Sequence, residues 1–94
     1  LDQSFGYWEE RFPVISPDGR YLAFLSQRSG LHEIWIKDLN SRLLHQLTGD
    51  ETMYIVGNMM WDADSDKIYF QAYNDEKFGV YAIDHVSIYI NRAR

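Results

Sequence analysis

Ser16-Pro17-Asp18-Gly19-Arg20-Tyr21-Leu22-Ala23-Phe24 is the stretch that decides how this chain folds. Pro17 presets φ, the Asp18 side chain bonds its own backbone, and Gly19 accepts a positive φ, so Ser16 to Gly19 reads as a hairpin turn. It joins a short strand, Arg11 to Ile15, to a longer one, Arg20 to Gln27. In the longer strand Leu22 and Phe24 face opposite to Ala23 and Leu25, which predicts a strand covered on both sides. Slid by 46 positions, the stretch falls on Asp62-Ala63-Asp64-Ser65-Asp66-Lys67-Ile68-Tyr69-Phe70. At the same offset, with no gap between, Glu33-Ile34-Trp35-Ile36-Lys37-Asp38 falls on Gly79-Val80-Tyr81-Ala82-Ile83-Asp84. One register shared by two separate stretches predicts an internal duplication.

Each copy reads as a set of short strands. In the first, Ile34-Trp35-Ile36 follows the hairpin Gln27 to Leu31, and Leu43 to Thr48 follows the turn signal Asn40-Ser41. Pro13 in the first strand removes a ladder donor, which suits an edge position. In the second copy the expected strands are Asn58 to Trp61, Lys67 to Tyr73, Phe78 to Ile83 and Val86 to Ile90, with Asn74-Asp75-Glu76-Lys77 at the hairpin. No stretch keeps helical periodicity for ten residues. The expectation is an all-β chain of two four-stranded antiparallel blades. Residues 1–11 end a preceding segment, 12–48 form the first blade, 49–57 link, and 58–94 form a second, degenerate blade.

Composition narrows the function. The 94 residues carry 46% hydrophobic and 16% aromatic side chains, an ordinary globular content rich in strand formers. The net charge of −5 lacks the basic footprint of a nucleic-acid binder. Without cysteine there is no disulfide, thiolate zinc site or Cys nucleophile. No apolar run approaches the length of a membrane helix, so no membrane insertion is expected.

Four short strands per unit, repeating at this spacing, is the period of a β-propeller blade. The first copy, from Ser16-Pro17-Asp18-Gly19 through Ser26-Gln27-Arg28-Ser29-Gly30 and Ile34-Trp35-Ile36-Lys37-Asp38-Leu39 to Leu47-Thr48, resembles the TolB-like propeller repeat. The second copy departs from that pattern, with Ala63 and Ser65 in place of the turn Pro and Gly. The resemblance implies one of three bacterial settings, periplasmic or cytoplasmic. They are the TolB protein itself, the gating propeller of a prolyl-oligopeptidase-like serine peptidase, and the sensor half of a winged-helix transcriptional regulator.

Chemistry is sparse. There is no G-x-S-x-G elbow for a hydrolase nucleophile. His32, His45 and His85 sit at a hairpin, on an outer strand and at a strand junction, where structural roles suffice. Asp62, Asp64 and Asp66 resemble the start of a calcium loop, but Lys67 stands where such a loop needs Gly and Tyr73 where it needs Glu, so a polar turn is favoured. Trp35 and Tyr81, equivalent under the repeat, read as inter-blade packing. Tyr7 and Trp8 have no repeat equivalent and are the candidate interaction residues. The expectation is a non-enzymatic interaction or sensing scaffold without metal or cofactor, with the accessory propeller of a peptidase as the alternative. Its partners are a protein or the rest of its own propeller. The isolated chain is expected to self-associate through an open face carrying Leu22, Phe24, Ile68 or Phe70.

Overall fold

The computed structural model describes residues 11–49, 53–64 and 66–88. Tyr7 and Trp8 lie outside the described residues. Seven strands form two antiparallel sheets. Sheet one has β1 (Arg11–Ile15), β2 (Tyr21–Ser26), β3 (Glu33–Asp38) and β4 (Leu44–Gln46) in sequential order. Sheet two has β5 (Met53–Trp61), β6 (Ile68–Asn74) and β7 (Lys77–Ile83).

The two sheets repeat register for register. Val14 opposes Ala23 and Ile15 opposes Leu22, as Met60 opposes Tyr69 and Trp61 opposes Ile68. Ala23–Ile36, Phe24–Trp35 and Leu25–Ile34 in sheet one match Tyr69–Ala82, Phe70–Tyr81 and Gln71–Val80 in sheet two. Each pair lies 46 positions from its counterpart. Even the irregularity is repeated. The β1–β2 ladder slips between Arg11 and Val14, where Phe12 has φ 54, and the β5–β6 ladder slips between Gly57 and Met60, where Asn58 has φ 53. A bulge at the same point of both copies bends each inner strand in the same way.

The core lies between the sheets. Tyr21, Ala23, Leu25, Ile34 and Ile36 of sheet one pack against Ile55, Trp61, Ile68, Phe70 and Ala72 of sheet two, with Leu47, Met59 and Val86 filling the rim. The Trp61 ring stacks on Tyr21 at 6.1 Å, and its Nε1 donates to the Val14 carbonyl at 3.0 Å. On the opposite face of sheet one, Phe24 is fully buried and Trp35 half-buried, and the Arg28 guanidinium lies over both rings at 5.5 and 5.2 Å.

Three sequence expectations need correction. β5 reaches back to Met53, not Asn58, because Met53, Tyr54 and Ile55 pair with Asn74, Tyr73 and Ala72 instead of serving as linker. The second sheet has three strands among the described residues. Residues 86–88, expected to begin a fourth strand, form a helical turn, and 89–90 lie outside the described residues. The reason is a tether to the β5–β6 turn. The Val86 N–H donates to the Asp66 carbonyl and the Ser87 N–H to Asp66 Oδ1, both at 2.9 Å, while the Val86 side chain enters the core. Finally, Phe24, Ile68 and Phe70 are buried and Leu22 partly so. The open apolar face belongs to the other side of sheet two.

Candidate functional site: the outer face and hairpin end of sheet two

The turn that opens β2 is built as its residues dictate. Gly19 N–H donates to the Ser16 carbonyl at 2.9 Å, and Gly19 has φ +74. Ser16 Oγ donates to Asp18 Oδ1 at 2.6 Å and accepts from the Tyr21 N–H at 3.0 Å. The Arg20 N–H also donates to Asp18 Oδ1. The Ser16 and Arg20 donors hold the Asp18 carboxyl below its usual range. Ser16, Pro17, Asp18 and Gly19 are thus a structural turn. The Thr48 that closes the first copy has a similar duty: its hydroxyl accepts from the Ile34 N–H and donates to Glu33.

Asp62, Asp64 and Asp66 border an open cavity of about 330 Å³ together with Lys67, Asp84 and His85. Asp62 and Asp66 are engaged locally. Asp62 Oδ1 accepts from the backbone N–H groups of Asp66 and Lys67, Asp66 holds Ser87 and lies 3.7 Å from His85 Nδ1, and Lys67 pairs with Asp84 at 3.0 Å. The Asp84 carboxylate raises the pKa of the partly exposed Lys67. No group of three or more acidic or histidine side chains among the described residues is arranged to hold a metal ion.

The opposite end of sheet two differs. Residues directly opposed across antiparallel strands share a face. Tyr54, Tyr73 and Phe78 therefore form one cross-strand row, Gln71 and Val80 the next, and Met60, Tyr69 and Ala82 a third. The large side chains in these rows stay accessible, with Tyr54 67%, Val80 66% and Met60 64% exposed. Tyr73 and Phe78 are in ring contact at 5.1 Å. At the hairpin end, Tyr54, Tyr73, Asp75 and Glu76 line an open cavity of about 450 Å³. Asp75 and Glu76 take φ 52 and 68, the backbone of a two-residue type I′ hairpin turn. Two phenol rings and two carboxylates make a corner suited to a cation.

Sequence reasoning places Tyr73, Asp75 and Glu76 in a strand and a turn but does not join them to Tyr54. For the rest of that face the repeat itself carries a signal. Shifted by 46, Val14, Ala23, Leu25, Ile34 and Ile36, which face sheet two, become Met60, Tyr69, Gln71, Val80 and Ala82.

Comparison with known proteins gives two matches. Residues 2–90 match the family model of the dipeptidyl peptidase IV N-terminal region. Dipeptidyl aminopeptidase BIII of Pseudoxanthomonas mexicana is 27% identical over 85 residues, which covers 88% of this chain and 12% of that protein. The chain therefore spans about an eighth of the length of the curated relative it matches. These findings overturn the expectation of a non-enzymatic protein, since both matches are to peptidases. They favour the peptidase alternative over the regulator-sensor reading, and the TolB-like assignment rests on the blade motif alone. With its two register-matched propeller-type sheets and a family match running from residue 2 to residue 90, the chain belongs to the dipeptidyl peptidase IV N-terminal region family.

Proposed function

We propose that this chain forms two neighbouring blades in the propeller of a dipeptidyl-peptidase-type serine peptidase. In this reading the blades form part of the wall that controls which peptides reach a catalytic domain carried elsewhere in the same protein. The observation that carries it is the family match over residues 2–90, on a chain whose two sheets repeat each other's register. A propeller wall acts through rigidity, and the joint here is tight. Trp61 stacks on Tyr21 and bonds across to Val14, so one blade cannot rotate on the next without breaking a buried contact.

The test uses the full-length protein. It should release amino-terminal dipeptides from a chromogenic dipeptidyl substrate and be labelled by a serine-directed fluorophosphonate. Loosening the joint with Trp61→Ala should relax discrimination between long and short peptides more than it slows the short ones. Absence of both turnover and labelling would overturn the reading.

A further inference from the structure

Asp18-Gly19 is the one Asp-Gly bond of the sequence, which has no Asn-Gly. Such bonds are chemically weak points of a polypeptide. The glycine nitrogen can attack Cγ of the protonated aspartate side chain, because no Cβ of the following residue crowds the approach. A C–N bond forms, a Cγ–O bond breaks, and the hydroxyl leaves with the amide proton as water. Water then opens the resulting succinimide ring at one of its two carbonyls. One opening restores aspartate. The other gives isoaspartate, whose main chain runs through the former side-chain carboxyl and is longer by one methylene.

Exposure favours this reaction here, since Pro17, Asp18 and Gly19 all face solvent. The turn opposes it at both reacting atoms. The Gly19 N–H donates to the Ser16 carbonyl at 2.9 Å, so the attacking nitrogen is engaged. Asp18 Oδ1 accepts from Ser16 Oγ at 2.6 Å and from the Arg20 N–H at 3.0 Å. Both bonds favour the ionised carboxylate, whose carbon is a poor electrophile, and both hold the group against rotation. Ser16 ties the arrangement to the fold. It is only 2% exposed, its hydroxyl accepts from the Tyr21 N–H at 3.0 Å, and its own N–H donates to the Tyr21 carbonyl at 2.9 Å. Asp64 holds the equivalent place in the second copy but is followed by Ser65, so the site belongs to the first copy alone.

We propose that Asp18-Gly19 is a latent isoaspartate site that the folded turn keeps closed, so that modification marks molecules whose β1–β2 hairpin has opened. Isoaspartate lengthens the main chain and relocates the free carboxylate. A modified turn therefore no longer fits the Ser16 hydroxyl and the Arg20 N–H, and a transient opening is recorded covalently. The proposal is independent of the peptidase reading.

The test incubates the full-length protein, folded or in urea, at physiological temperature and mildly acidic pH, and then digests it with trypsin. Phe12 to Arg20 is released as one peptide. Its isoaspartyl form has the parent mass, elutes separately and accepts a methyl group from an isoaspartyl methyltransferase. The isoaspartyl fraction should be at least several-fold lower in the folded protein than in urea. Within the folded protein, Ser16→Ala should raise it several-fold. Trp61→Phe, which weakens the fold away from the turn by removing the bond to Val14, should leave it near the parent value. Equal fractions in folded and unfolded protein would overturn the protection. A rise in Trp61→Phe that matches Ser16→Ala would assign the protection to global stability and overturn the role of the turn. The comparison with urea uses the parent sequence, so it decides the question whether or not Ser16→Ala folds.

Discussion

Gly19 and Gly57 both take positive φ, yet they do so for different reasons. A Cβ built at Gly19 meets nothing within 4 Å, so substitution there costs backbone strain alone. At Gly57, φ +129, a Cβ would come within 2.5 Å of the Phe12 ring, which lies across the glycine from the neighbouring sheet. Gly19→Val should therefore destabilise by about 1 kcal/mol or more. Gly57→Ala should add an overpacking cost of about 1–3 kcal/mol to its strain, despite the smaller side chain. Thermal unfolding of the two variants side by side checks the ranking, and a milder effect at Gly57 would mean that the Phe12 ring moves aside freely. Asp18 carries a pH signature. Its folded pKa lies below the ordinary value of 3.8, so its contribution is present above that value and lost as pH falls through the folded pKa. Asp18→Asn should lower stability near neutrality and flatten the acid limb below about pH 4, read from unfolding midpoints across that range.

At the scale of elements, the bulges and the joint matter most. Phe12 and Asn58 occupy the same irregular position of β1 and β5, and the β1 bulge brings the Phe12 ring onto Gly57 of β5. The bulge is thus part of the contact between blades and not a flaw in a strand. The companion contact is Trp61 on Tyr21, and burial raises the Tyr21 pKa. Trp61→Phe keeps a ring for stacking but leaves the Val14 carbonyl without the indole donor. It should cost about 1–3 kcal/mol, whereas Trp61→Ala also opens a cavity and should cost about 3–5 kcal/mol. Equal losses for the two variants would show that the ring contributes nothing beyond its N–H.

For the whole molecule, the open face of sheet two sets behaviour in solution. Repeat units gain much of their stability from neighbouring units, and two sheets alone share a single such contact. The isolated 94-residue chain should therefore self-associate through Tyr54, Met60, Tyr69, Val80 and Phe78. The net charge of −5 opposes this weakly, because screening at physiological salt acts over ~8 Å. Light scattering coupled to size exclusion should find species larger than 11.1 kDa. A monodisperse monomer with a cooperative melt would show that the face tolerates water, and would remove the reason for seeking its partner.

Local signals determined much of the architecture. Ser16-Pro17-Asp18-Gly19 specifies a turn through residue chemistry acting over a few bonds, and the structure builds that turn. The 46-residue offset likewise anticipated the strand pairings, because a duplicated pattern of side chains reproduces a duplicated ladder. What sequence pattern could not supply came from contacts distant in the chain. Val86 to Ile88 read as strand from composition, but Asp66 captures their backbone and turns them into a helical turn. Phe70 was legible as apolar, yet only the packing of sheet two on sheet one decides that it is buried and that Tyr54, Met60 and Val80 are not. Strand alternation tells which residues share a face, whereas which face meets a neighbour depends on how whole sheets stack. Tyr54 and Asp75 stand far apart in sequence, and the tertiary structure brings them to one cavity through the pairing of β5 with β6.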